Sequence, residues 1–208
     1  MDSKLRIIPL GGLGEIGMNM MVVEYDDTIV IIDSGLMFPE DYMLGVDYVI
    51  PGMDYIRQKK ANVAAVILTH AHEDHIGALP HLLREVNAPV YATPFTLGTL
   101  RHKLEEHGLL ASAVLNVITP KEKLQIPPFG FEFIRVNHSV VDGVGLGITT
   151  PVGLIVHTGD FKLSETSMRL PAWVNRGFLR CSRIQPMWKR RDTPFPMRLS
   201  VKRSKRSS

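Results

Sequence analysis

The feature that most constrains this chain is the run His70-Ala71-His72-Glu73-Asp74-His75, directly after an apolar stretch at residues 63–68. Imidazole and carboxylate side chains at H-x-H-x-D-H spacing fall within one short turn. Nitrogen and oxygen donors without a thiolate suit zinc or a similar divalent ion. If residues 63–68 form a buried strand, the cluster sits on the loop leaving its C-terminal end, where α/β proteins commonly carry their sites. The plain alternative is a solvated loop that happens to be rich in histidine. Further ligand-type residues at similar strand ends weigh against it.

The remaining pattern reads as strands first and strand–helix alternation after. Residues 4–10 read as a short strand, followed by the glycine loop Gly11-Gly12-Leu13-Gly14-Glu15-Ile16-Gly17. Residues 19–25 are apolar, Asp26-Asp27 signals a turn, and 28–32 is a strong strand ending at Asp33-Ser34-Gly35. Residues 36–52 read as an ordered loop. A buried strand at 63–68 leads to an amphipathic helix over 75–86 despite Pro80, a short strand at 89–92, and a helix over 95–107 closed by Gly108. Strand material follows at 124–136 around Pro127-Pro128 and at 145–157 around Pro151. The pattern predicts sheet layers covered by helices, an α/β or α+β fold.

Charge divides the chain. Residues 1–168 carry 12 Lys/Arg against 20 Asp/Glu, a net of −8, whereas residues 169–208 carry 12 Lys/Arg against the single acid Asp192, a net of +11. All eight histidines precede that break, and both tryptophans and the lone Cys181 follow it. Residues 1–168 are therefore read as the folded domain. Residues 169–208 are read as a basic tail, either a disordered RNA-binding extension or a segment foreign to the fold. The abruptness of the change favours the second. One cysteine excludes an internal disulfide framework and argues against thiolate ligation. No apolar run approaches a membrane span and residues 1–12 lack a signal-peptide core, so the expectation is a cytoplasmic protein without a membrane partner.

Gly12-x-Gly14-x-x-Gly17 also matches the dinucleotide-binding fingerprint, with Asp33 at a plausible ribose distance. That reading needs residues 15–27 to be a helix. Val22, Val23 and Tyr25 favour a strand instead, and Asp26-Asp27 would oppose the dipole at a helix C-terminus. It also leaves the histidines unexplained.

Two more strand ends extend the metal reading, Asn137-His138-Ser139 and His157-Thr158-Gly159-Asp160. His70 and His72 can point one way and Asp74 and His75 the other. A third histidine would close the first site and a carboxylate could bridge both, with His138 and Asp160 as the candidates. Asp33 reads as a carboxylate orienting a ligand histidine or water, against the alternative of a solvated strand-end acid. His81, His102, His107 and His157 read as structural.

At this point the order Asp33, His70-x-His72-x-Asp74-His75, His138, Asp160 resembles the motifs of the metallo-β-lactamase superfamily. Within it, Gly11-Gly12-x-Gly14-Glu15-Ile16-Gly17-x-Asn19, residues 68–80, Asn137-His138-Ser139 and His157-Thr158-Gly159-Asp160-Phe161-Lys162 are similar to the ribonuclease J family, a bacterial branch of the β-CASP nucleases. The resemblance covers residues 4 to about 167. It implies the N-terminal part of an αββα sandwich without the β-CASP insertion. By the same resemblance His70, His72 and His138 bind one zinc, Asp74 and His75 a second, and Asp160 bridges them, with manganese as a substitute. A structural calcium held partly at Gly45 and Asp47 is also implied.

The implied chemistry is metal-assisted hydrolysis of RNA, exonucleolytic from the 5′ end or endonucleolytic, with two ions about 3.5–4 Å apart activating water. The catalytic residues would be Asp74, His75 and Asp160, supported by Asp33. In the complete family protein RNA is the partner, and a homo-oligomer or RNA-degradation complex is expected. The family pattern ends near residues 167–169, where the charge also breaks, and no histidine follows Asp160. The expectation is therefore a truncated, weakly active form retaining nearer one zinc than two. The alternatives are a small-molecule hydrolase acting on thioesters or lactones, and a non-catalytic fragment that binds metal and RNA.

Overall fold

The computed structural model describes residues 4–162. The basic tail expected at 169–208 lies outside the described residues.

The strands form two sheets. The first has six strands in spatial order: β1 (Leu5–Gly11), β2 (Met20–Tyr25), β3 (Thr28–Ile32), β4 (Val63–Ile67), β5 (Val90–Ala92) and β6 (Leu115–Val117). β1 to β3 pair antiparallel and β3 to β6 pair parallel. The second sheet is antiparallel, built from β7 (Lys123–Ile126), β8 (Phe129–Arg135), β9 (Val144–Thr150) and β10 (Gly153–His157) in the order β10-β9-β8-β7. The antiparallel β1–β2 hairpin leaves no crossover helix after the glycine loop, so the dinucleotide fingerprint is not in a Rossmann context.

The central strands are apolar on both faces because both faces are covered. Ile29 and Ile31 of β3 and Val66 of β4 point into one core with the helices α1 (Asp54–Gln58), α3 (Leu79–Glu85) and α4 (Pro94–Glu106). Val30, Ile32, Ala65 and Ile67 point the other way, against Phe129, Phe131 and Phe133 of β8 and Val144, Leu146 and Ile148 of β9. Burying one such phenylalanine stabilises by about 1.5–3 kcal/mol. The layers are helices, sheet, sheet; among the described residues all four helices lie on the six-stranded sheet. No described helix is long and apolar enough to cross a membrane.

One expected helix is two. The segment read as a helix over 75–86 consists of the short α2 (Glu73–Ile76) and α3, separated at Gly77-Ala78. Pro80 is the reason: it has no N–H for the carbonyl of Ile76 and its ring clashes there, so it sits in the first turn of α3. At α4 the expected end holds. Gly108 follows the last turn with φ +67°, a conformation that suits glycine. α1 and β6 were not among the elements the pattern predicted.

Candidate metal centre

The topology gathers four strand ends. β3 and β4 run parallel, so Asp33 and the His70–His75 turn leave the first sheet on the same edge. β8 and β10 are both antiparallel to β9, so His138 and Asp160 leave the second sheet on a common edge. The two edges are joined where the Val144 N–H donates to the Thr69 carbonyl at 3.0 Å. The Lys162 N–H donates to the Asn137 carbonyl at 2.7 Å, linking the loops that carry His138 and Asp160.

His70, His72 and His138 present one ring nitrogen each to a common point, with His70 Nε2 3.0 Å from His72 Nδ1 and His138 Nε2 3.1 Å from the same atom. Tetrahedral zinc with bonds of about 2.0–2.1 Å places its nitrogen ligands roughly 3.3 Å apart. The donor set and spacing therefore fit such an ion. A second group joins His70, His75 and Asp160. Asp160 Oδ2 lies 3.5 Å from His75 Nε2 and 3.9 Å from His138 Nε2, between the two groups. Asp74 Oδ2 is 3.6 Å from His75 Nε2.

Beneath the donors lies a buried polar layer. Asp33, 2% exposed, takes φ +61° at the end of β3. Its Oδ1 accepts from the Thr69 N–H at 2.7 Å, and its Oδ2 accepts from the Thr69 hydroxyl and from His75 Nδ1, both at 2.8 Å. The solvated alternative for Asp33 is thereby excluded. The Thr69 hydroxyl also lies 3.0 Å from His70 Nδ1. Asn19 completes the layer from the glycine loop. Its side-chain N–H group donates to the Asp74 carbonyl at 3.0 Å and to Asp74 Oδ2 at 3.2 Å, and lies 3.1 Å from His75 Nε2. Thr69 and Asn19 carried no role in the sequence reading beyond their place in motifs. A polar residue adjoining a ligand run was the available signal for Thr69.

Close approach explains one glycine. A Cβ on Gly35 would lie 1.6 Å from the Asp74 carbonyl oxygen, so only glycine lets the loop after β3 pass under α2. That contact is held by hydrogen bonds from Ser34 N–H to the His75 carbonyl at 2.8 Å and from Leu36 N–H to the Glu73 carbonyl at 3.0 Å.

The electrostatics match the geometry. Burial pushes His70 down to about 3, with the His75 charge acting in the same direction. Burial also lowers His138. Both rings are thus held neutral, the form that donates a lone pair. Burial pushes His75 down as well, but the Asp33, Asp160 and Asp74 carboxylates outweigh it and raise it to about 10. The field that keeps a proton on His75 would equally favour a metal cation. The hydrogen bond with His75 pulls Asp160 down to about 2, against an upward push from burial.

Some expected residues stay apart from this centre. Gly45 and Asp47 lie in an exposed loop, and neither donor group among the described residues includes Asp47. His81 packs edge-on to His107 and shares a hydrogen bond of 3.2 Å with the Tyr48 hydroxyl. His102 lies 3.5 Å from Glu106 on the exposed face of α4. His157 Nδ1 accepts from the Gly159 N–H at 3.2 Å, within the turn that carries Asp160.

Comparison with known proteins agrees with this architecture. The family profile described as "Metallo-beta-lactamase superfamily" matches residues 13–196. Ribonuclease J of Helicobacter pylori is 44% identical over 165 residues, which are 79% of this chain and 24% of that protein. Ribonuclease J of Thermus thermophilus is 48% identical over 172 residues, covering 79% of this chain and 30% of that protein. Ribonuclease J 1 of Streptococcus pyogenes is 44% identical over 174 residues, covering 84% and 31%. The chain thus spans about a quarter to a third of the length of these relatives. Among solved structures, a protein of unknown function from Enterococcus faecalis shares the fold with a TM-score of 0.58 at 20% identity, over 77% of this chain and 44% of that one. Zinc-bound PqqB from Methylobacterium extorquens does so with a TM-score of 0.51 at 15% identity, over 71% and 54%. On its family match and its fold, the chain belongs to the metallo-β-lactamase superfamily, and it is homologous to the ribonucleases J over about 80% of its length.

Proposed function

We propose that this chain carries the metal-binding part of a cytoplasmic, ribonuclease J-like enzyme that hydrolyses RNA phosphodiester bonds. The observation that carries the reading is the convergence of His70, His72 and His138 on one point, with Asp160 between that group and His75. In this proposal His70, His72 and His138 hold one zinc, Asp74 and His75 a second, and Asp160 faces both. When bound, such ions lower the pKa of water toward neutrality and offset the charge of the phosphate. Asp33 accepts the Nδ1 proton of His75, which leaves Nε2 as the nitrogen that faces the site and would give up its proton to a metal. Asn19 holds the Asp74 carboxylate from the opposite side.

The three-histidine site is proposed as the tighter one, so zinc analysis should give nearer one ion per chain than two. Calcium at Gly45 and Asp47 rests on the resemblance alone: it would draw on a glycine carbonyl and one carboxylate of an exposed loop. The proposed domain division is a folded unit at 1–168 with a basic segment at 169–208. Turnover by these 208 residues alone is expected to be slow. The relatives hold more than two thirds of their length outside the matched region. Mispositioning a reacting phosphate by about 1 Å can cost 10²-fold.

The test is incubation with 5′-monophosphorylated RNA and zinc or manganese, beside an Asp74→Ala control and a lactone and thioester panel. Slow RNA cleavage that the control lacks is the expected result. Turnover of a lactone or thioester with RNA left intact would make the chain a small-molecule hydrolase. Metal and RNA binding without any cleavage would make it a binding module.

A further inference from the structure

One fully buried hydroxyl, that of Thr69, lies among groups that each want something different from it. The Thr69 N–H donates to Asp33 Oδ1 and its carbonyl accepts from the Val144 N–H, so the backbone is held on both sides. A Cβ built on Gly159 would lie 3.7 Å from Thr69 Cγ2, so the methyl group faces the turn that carries Asp160. Rotation about χ1 would set that methyl against a buried carboxylate. The hydroxyl is thereby fixed 2.8 Å from Asp33 Oδ2, 3.0 Å from His70 Nδ1 and 3.4 Å from His75 Nδ1.

A hydroxyl has one proton to give. Asp33 carries its charge in a place only 2% exposed, and hydrogen bonds to an ionised acceptor are roughly twice as strong as neutral ones. Thr69 therefore gives its proton to Asp33 rather than to His70. His75 Nδ1 also donates to Asp33, at 2.8 Å, well inside its separation from Thr69. What remains for His70 is an oxygen lone pair, which only a proton on Nδ1 can meet. The described residues offer His70 Nδ1 no other hydrogen-bond partner.

We propose that Thr69 is a positioning residue whose hydroxyl carries the demand of the Asp33 charge to His70, fixing that ring with its proton on Nδ1 and its lone pair on Nε2. The inference rests on the metal-binding part of the reading above and makes no use of the substrate. His70 is the member common to both donor groups, and its Nε2 faces His72 Nδ1 at 3.0 Å. His138 Nδ1, by contrast, is buried without a hydrogen-bond partner among the described residues, so nothing comparable fixes that ring. A hydroxyl that touches no metal donor position thus decides whether the shared histidine can ligate at all.

The experiment uses the full 208-residue chain as wild type, Thr69→Val and Thr69→Ser. Long-range proton–nitrogen NMR of the metal-free protein at pH 7.5 reads the His70 tautomer, and competition with a chromophoric chelator reads zinc affinity. Wild-type His70 should carry its proton on Nδ1 alone. Thr69→Val keeps the branched shape and removes the acceptor; it should give a mixture of tautomers and bind zinc about 10–100-fold more weakly, the usual loss when a ligand histidine loses its outer partner. Thr69→Ser should restore both. Thr69→Ala serves as a second hydroxyl-free variant should the valine not fold. A wild-type proton on Nε2, or a hydroxyl-free variant that keeps the wild-type tautomer and zinc affinity, overturns the proposal. A wild type with the Nδ1 proton in place that binds no zinc refutes the metal-centred reading and leaves the Thr69 assignment standing, so the two failures are distinguishable.

Discussion

Replacing Asp33 by Asn removes one charge and changes little else. Asp33 has φ +61°, and asparagine tolerates that conformation, so backbone strain does not confound the comparison. The new amide keeps an acceptor for the Thr69 N–H. Its nitrogen then faces His75 Nδ1, which Asp33 contacts at 2.8 Å. Two donors cannot face each other, so His75 shifts its proton to Nε2, the atom directed at Asp160 and Asp74. A protonated Nε2 cannot ligate a metal.

The loss of Asp33 has a second effect of opposite sign. Its charge helps raise His75 to about 10, so its removal also weakens the proton that competes with the metal. The first effect wins, because a divalent cation carries twice the charge of a proton and loses more when the field is removed. Loss of such a supporting hydrogen bond typically costs 10–100-fold in metal affinity, about 1.4–2.7 kcal/mol. The fold should lose about 2–4 kcal/mol, since one or two hydrogen bonds to a buried charge disappear. Competition of the protein with a chromophoric zinc chelator at pH 7.5 reads the affinity, and urea unfolding of the metal-free protein reads the stability. A folded Asp33→Asn variant that binds zinc within twofold of the wild type would refute the argument that Asp33 sets the His75 tautomer.

Three further outcomes are expected. His72→Ala should weaken zinc binding more than Asp33→Asn does, because it removes one of three nitrogens at the first site; the same chelator competition measures it, and excess EDTA should lower the wild-type melting temperature. Gly35→Ala should destabilise by more than about 3 kcal/mol, since its Cβ would lie 1.6 Å from a backbone oxygen, whereas Gly98→Ala on the exposed face of α4 should stabilise by about 0.5–1 kcal/mol; denaturant melts distinguish the signs. Glu24, buried beneath Arg6, Lys59 and Tyr55, should make the wild type acid-labile. Burial pushes its carboxyl up, but Lys59, Tyr55 and Arg6 outweigh this and hold it below the ordinary value. The stability it adds is therefore complete above the ordinary carboxylate range and lost as pH falls through the lowered value. Glu24→Gln should cost about 1–3 kcal/mol at pH 7 and flatten the fall in melting temperature below pH 4.

The candidate metal donors are legible in the sequence because two local signals coincide at each of them. Apolar runs at 28–32, 63–68 and 145–157 mark strands by composition, and a His or Asp just past a run is already placed on a loop edge. Strand order and sheet pairing are not local. That β8 and β10 share a direction, and so deliver His138 and Asp160 to the edge where β4 ends, depends on hydrogen bonds between segments tens of residues apart. Asn19 shows the limit most clearly: its contacts with Asp74 span 55 residues, and nothing in residues 11–25 specifies them. For Asp33 the sequence allows both an orienting carboxylate and a solvated acid, and burial under Thr69 and His75 removes the second. The division of the helix over 75–86 has a visible cause in Pro80, but an amphipathic period counts side chains and not the backbone N–H that proline lacks. Residue type and local period determine which groups are available and on which element. Their distances and protonation depend on packing between elements, because charge and steric contact act through space rather than along the chain.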